Sequence, residues 1–234
     1  YFYSLFKFSY KIAYKQEFIN FKEDKYMLNY DIKIGLVAMR RNTTDRPKGT
    51  FLTWSSAEER GKRFVEYIEK NFCDHVSFVD NKGIGICDLV FDDKSASEVI
   101  ERFRAEAVDA IMIINCNFGN EEAAADIAQA LGKPVLLWAP LDDEYYVDGM
   151  RPTDSQCGIF GVSRQMQRYH IPFSFIRSCE GDSEEFKEGF ERFVRVACMV
   201  KNFKGMRIGQ VGTRPAPFFS VIWNEGELME KFGI

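Results

Sequence analysis

The chain has 234 residues, 46% hydrophobic and 28% charged, enough for one large domain or for one domain and the start of another. A formal net charge of −4 argues against a nucleic-acid surface, and no run of about 18 uncharged apolar residues is present to span a bilayer. Six cysteines, at 73, 87, 116, 157, 179 and 198, are scattered without a C-x-x-C pair, which argues against a zinc ribbon or a redox dithiol and fits free, buried thiols in a reducing cytoplasm.

Residues 1–26 form an atypical extension crowded with Phe, Tyr, Lys and Ile. Lys7, Lys11 and Lys15 share helical spacing, which a basic amphipathic surface helix would use. The simpler account takes Met27 as the natural start. Ile32–Met39 (IKIGLVAM) is the first strand, ending at Arg40 and Arg41, and a polar loop runs from there to Trp54. Ser56-x-x-Glu59 has the form of a capping box, after which Phe64, Val65, Ile68 and Phe72 lie on one helical face. His75–Val79 is the second strand. Ser95-x-x-Glu98 opens the next helix in the same way, with Val99, Ile100 and Phe103 inward. Asp109–Asn115 is the third strand, followed by Cys116–Asn120 and the helix Glu121–Leu131, which Gly132-Lys133-Pro134 stops.

Val135–Trp138 is a buried strand closed by Pro140. Leu141–Gln156 is a long loop dense in polar groups, and long loops are commonly functional. Ile159, Val162, Met166 and Tyr169 then recur at helical spacing, and Pro172 precedes a strand Phe173–Ile176. Asp182 or Ser183 caps a long helix with Phe186, Phe190, Phe193, Val194, Ala197 and Val200 along one stripe, ended by Gly205. Met206–Val211 reads as a further strand and Glu225–Phe232 as another helix. This alternation predicts a three-layer α/β/α doubly wound parallel sheet of the flavodoxin-like kind in residues 27–204. Residues 205–234 read as the first βα unit of a second α/β domain, too little to bury its own sheet, so the sequence reads as truncated.

In such sheets ligands sit beyond the carboxyl ends of the strands. Three such ends are polar: Arg40 and Arg41; Asn115–Glu121; and the loop after Trp138. Each has a plain alternative. The two arginines can be solvated loop charges, and Gly119 can serve a tight turn. Asp142, Asp143 and Glu144 could hold a cation through oxygen ligands, but acidic runs are more often just solvated. Arg151, Asp154 and Gln156 precede a helix start, where backbone N–H groups could receive an anion; capping by Asp154 with an Arg151–Asp154 pair is the default. Cys157, with no His placed to act as its base, reads as a buried structural thiol. Neither a dinucleotide fingerprint nor a P-loop is present, and His75 and His170 do not suggest a transition-metal site.

The run DGMRPTDSQCGIFGVSRQMQR, with LLWAP before it and RIGQVGTRPAPFFSVIWNEGELMEKFGI at the end, resembles the N-terminal portion of the L-fucose/L-arabinose isomerase superfamily, over roughly Ile32 to the last residue. The resemblance implies an aldose–ketose isomerase that works through an enediol on Mn²⁺, active as a homo-oligomer in the cytoplasm, with a sugar as its partner and neither nucleic acid nor membrane. It also implies that the metal ligands and catalytic groups come from later domains, so that this chain binds no cofactor and holds no catalytic residue. By position Arg40 matches a sugar-contacting residue, and Cys116 stands where some fucose isomerases place a tryptophan. Asn117, Arg151 and Asp154 join them as substrate-side candidates, and Thr213, Arg214 and Asn224–Glu225 would approach from the second domain. The rival reading is a stand-alone domain for binding a sugar or anion, or for oligomerisation.

Overall fold

A computed structural model describes residues 31–43, 52–72, 76–145, 149, 151–212, 216 and 223–234. The expectations for residues 1–26 and for Cys73, His75, Thr213 and Arg214 lie outside these. The strands are β1 (Lys33–Met39), β2 (Ser77–Val79), β3 (Ala110–Asn115), β4 (Val135–Pro140) and β5 (Phe173–Cys179). The helices are α1 (Trp54–Phe72), α2 (Asp93–Ala105), α3 (Glu121–Leu131), α4 (Ser155–Arg168), α5 (Glu184–Phe203) and α6 (Glu225–Phe232). Every strand pairing is parallel, in the order β2-β1-β3-β4-β5. That is the doubly wound order expected from the alternation of elements.

The three central strands are continuous apolar runs because both faces are covered: β3 and β4 are buried throughout. Alternate side chains of β1 enter two separate cores. Ile34, Leu36 and Ala38 meet α1 and α5, while Val37 and Met39 meet α2, α3 and α4. The first core is aromatic. Trp138 lies 4.4 Å from Phe186 and 4.9 Å from Phe64 between ring centroids, pairs worth about 0.5–1.5 kcal/mol each beyond burial. The second core is aliphatic but for Phe103 among its buried residues, and Ala123, Ala124 and Ala128 of α3 belong to it.

Helix starts differ from the sequence reading by one turn. α1 begins at Trp54, where Thr53 Oγ1 accepts from the Ser56 N–H at 3.2 Å, so Ser56 is the third helical residue and not the cap. In α2, Asp92 is the cap and Ser95 closes the box from the third position. Both helices therefore carry Ser where the signature expects Glu, and the S-x-x-E pattern lies one turn inside. Ser183 caps α5 as expected, and Gly132 in the left-handed conformation ends α3.

Met206–Val211 is not a strand. It pairs with no strand among the described residues, and Val211 is fully exposed. An isolated strand leaves its ladder groups to water and gains nothing from pleating. α6 forms as expected but buries none of its residues; Phe232 packs on Phe203 at 5.1 Å. No helix among the described residues is long and apolar enough to cross a membrane.

Candidate functional site

The strand order reverses between β1 and β3, and at that point their carboxyl ends open a crevice that side chains from both layers can reach. The protein buries an unusual set of polar residues there: Arg40, Arg60, Asn115, Asn117, Thr153, Asp154 and Ser155. Arg40 is completely buried, which corrects the expectation of a solvent-facing strand-end arginine. Its guanidinium donates to the carbonyls of Leu52 (2.8 Å) and Thr43 (3.2 Å) and lies 3.6 Å from the centroid of a Trp54 ring. A delocalised, weakly hydrated cation tolerates this position because the ring face and the carbonyl dipoles replace its water. Arg40 thus ties the loop after β1 to the start of α1.

Arg60, on α1, makes the second cross-link. Its Nε donates to the Cys116 carbonyl at 2.6 Å, Nη2 to the Leu141 carbonyl at 2.8 Å, and Nη1 to Asp143 Oδ1 at 2.6 Å. One guanidinium therefore holds the ends of β3 and β4 and the loop beyond. The Asp143 N–H in turn donates to Thr153 Oγ1 at 2.9 Å. Next to it, Asp142 accepts from the Ser155 N–H at 2.6 Å and the Gln156 N–H at 3.3 Å. Asp142, reaching back across the loop, is the side chain that satisfies the α4 N-terminus. Asp154 occupies the cap position but makes no side-chain cap bond, and pairs instead with Arg151 at 3.1 Å.

Asn117 links these groups. Its Nδ2 donates to the Thr53 carbonyl at 3.0 Å and its carbonyl accepts from the Asp154 N–H at 2.8 Å. Its Oδ1 is buried and has no partner among the described residues, as is also true of Asn115 Oδ1. Leu52, held by Arg40, donates its N–H to the Pro152 carbonyl. Arg40, Cys116, Asn117, Arg151 and Asp154 are thus brought into one hydrogen-bonded neighbourhood, though most of them face inward. Gly119 has a φ of +101°, and a Cβ there would press on the Asn115 side chain, so the turn reading of this glycine holds. Beside it is an open hollow of about 360 Å³ lined by Arg41, Asn42, Phe118, Asn120, Glu122 and Gln165, among others. The exposed Arg41 lies 4.6 Å over the Phe118 ring at its mouth.

The Cys116 thiol points away from the crevice into the aromatic core and donates to the Ile114 carbonyl at 3.6 Å; burial pushes its pKa up to about 12. It is therefore a neutral, inert group, and only the Cys116 carbonyl takes part in the network. Cys157 is exposed, which corrects the reading of it as a buried thiol, and Cys87, Cys116, Cys157, Cys179 and Cys198 are all free. In the acidic run, Asp142 is spent on α4 and Asp143 on Arg60. Among the described residues no group of three or more His, Cys, Asp or Glu side chains could hold a metal ion.

Arg60 and Asp142 escaped the sequence reading for different reasons. Arg60 stands four residues before Phe64 on the stripe Ala57–Phe64–Ile68, and a charge on a buried stripe was a readable signal. Asp142 lies 13 residues from the N–H it satisfies, and no local pattern announces such a cap.

Residues 43–204 match the family described as fucose/sulfoquinovose isomerase, N-terminal domain. The chain is similar to the sulfoquinovose isomerase of Priestia megaterium (24% identical over 135 residues, 58% of this chain and 30% of that protein) and to that of Alkalicoccus urumqiensis (27% over 125 residues, 53% and 28%). The match thus spans less than a third of the length of these curated relatives. Among solved structures, the transcription regulator CcpA of Lactococcus lactis aligns over 73% of each chain at 13% identity, with a TM-score of 0.26 that adds nothing to the fold argument. With the family covering most of the doubly wound domain and the expected strand order in place, the chain belongs to the fucose/sulfoquinovose isomerase N-terminal domain family.

Proposed function

We propose that this chain is the N-terminal part of a sugar aldose–ketose isomerase, in which its doubly wound domain builds one wall of the sugar site. The observation that carries this reading is the concentration of buried, cross-linked polar side chains at the carboxyl end of the sheet, beside the β1/β3 crevice. A structural core has no use for two nearly buried arginines there; a ligand wall needs rigid loops, and buried guanidiniums supply them. Arg40 and Asn117 act from behind, fixing the backbone of the loops, while Arg41, Asn42 and the hollow beside Phe118 present polar groups to the ligand. The paired Arg151 and Asp154 remain further substrate-side candidates, as does Arg214, which lies outside the described residues.

The chemistry expected of the whole enzyme, proton transfer through an enediol on Mn²⁺, finds no ligand set in the described residues of this chain. In this reading the metal ligands belong to the part of such an enzyme that the match does not span, and these residues alone turn over no sugar. The whole protein works as a homo-oligomer in the cytoplasm, where the domain also closes a neighbouring subunit's site. The substrate class is an aldose altered at C6, either 6-deoxy or 6-sulfo, after the sugars in the family's name.

The test is an isomerisation assay of the intact protein with Mn²⁺ and a panel of pentoses, 6-deoxyhexoses and a 6-sulfo-aldose. Interconversion of an aldose with its ketose supports the proposal. Saturable stabilisation by a sugar without turnover favours the binding-domain reading, and no response to any sugar favours a purely oligomerising module.

A further inference from the structure

We infer that Arg60 is a positioning residue for the sugar wall: a cation on one layer of the sandwich that sets the loop capping a helix on the other. α1 packs on the aromatic core and α4 on the alanine-rich one, so the sheet separates them. Arg60 reaches over the carboxyl edge of the sheet, and its three nitrogen atoms each meet a different segment: the Cys116 carbonyl, the Leu141 carbonyl and Asp143 Oδ1. The neighbouring Asp142 then occupies the first two free N–H groups of α4. The position of the loop after β4, and of α4 behind the hollow, is thereby referred to one side chain.

The arrangement is built for placement more than for stability. A guanidinium that is only 4% exposed gives up its hydration, and the exposed Asp143 returns part of that through water-screened charge. An apolar residue on that stripe of α1 would pack at lower cost, but it would leave the Leu141 carbonyl without its side-chain donor, the Cys116 carbonyl with only the longer Ser155 Oγ bond of 3.4 Å, and the loop without its tie to α1. Lysine cannot substitute, since one ammonium at the end of a flexible stem does not span three acceptors in a fixed fork. Displacing the loop moves the wall against which a sugar is held, which weakens binding more than it alters the reacting centre.

The inference rests on the proposed function, and the experiment separates the two. In the intact protein, Arg60→Lys and Asp143→Asn are compared with wild type and with the control Arg63→Lys, an exposed position on the same helix, for KM, kcat and melting temperature. The expected result is a KM raised about tenfold in Arg60→Lys and about threefold in Asp143→Asn, with kcat within about threefold of wild type and the control unchanged. A role confined to stability lowers the melting temperature and leaves KM alone. Wild-type KM in both variants overturns the inference while leaving the isomerase reading standing; a wild-type protein that turns over no aldose overturns both.

Discussion

The two ends of the parallel sheet solve opposite problems. At the amino end, an open hollow of about 430 Å³ lies between the starts of β4 and β5, the end of α3 and the later part of α5, lined mainly by apolar residues such as Val135, Ile171, Pro172, Phe173 and Phe193, with Lys133 at its rim. The apolar lining of that hollow demands little particular geometry, because apolar contacts are non-directional, and the directional bonds at this end centre on Asp109, which accepts from the Lys33 N–H and from Lys201 Nζ at 2.9 Å each. At the carboxyl end the buried groups are guanidiniums, carboxamides and hydroxyls, and Arg40, Arg60 and Asn117 each donate to defined backbone carbonyls. Directional bonds in a dry setting are costly when broken, so this end keeps one arrangement of its loops. The difference teaches where the chain spends its specificity: the sheet needs only apolar bulk, whereas the loops above β1, β3 and β4 need particular side chains.

Substitutions at the two ends should therefore differ in size. The largest effect belongs to Gly158, which lets α4 lie against the β3 loop; a Cβ there would overlap the Phe118 carbonyl oxygen. Gly158→Ala should destabilise by at least about 3 kcal/mol in chemical denaturation, since the obstacle is backbone and cannot rotate away. Arg40→Ala should cost about 2 kcal/mol, as the Leu52 carbonyl loses its buried donor and Trp54 its stacked cation. An unchanged unfolding midpoint for Arg40→Ala would show that the buried cation is dispensable. Cys116 sharpens the comparison through pH. Its folded pKa is raised from 9.0 to about 12, so folding favours the neutral thiol. The stability it contributes is fully present below pH 9 and is lost as pH rises toward 12, so the wild-type advantage over Cys116→Ala should shrink across that window. At the amino end, Lys133→Gln should shift stability by no more than about 0.5 kcal/mol, within the range of ordinary surface changes.

Much of the fold was legible because the central strands are unbroken apolar runs and the helices carry apolar stripes, signals that survive without tertiary knowledge. The bounds of α3 and the Ser183 cap follow from local chemistry. What failed depended on atypical local caps or on distant partners. The starts of α1 and α2 were misplaced because Thr53 and Asp92 cap with Ser as the third residue. Met206–Val211 has β-like composition, but a strand is defined by its neighbour. For the site, Arg40, Asn117, Arg151 and Asp154 lie in one hydrogen-bonded neighbourhood, yet the inward orientation of Arg40 comes from Trp54 and Leu52, which no reading of the first strand contains. Cys116 shows the same limit: its position along the chain puts it at the crevice, while the pleat turns its thiol into the core.

The account stands on the claim that sugar meets this domain at the carboxyl ends of β1 and β3. Hydrogen–deuterium exchange of the intact protein with and without a saturating aldose tests it directly. The account predicts slowed exchange at residues 41–43 and 117–120, with no change at residues 132–135 and 170–173. Protection centred on the amino-end hollow, with none beside Phe118, would contradict it.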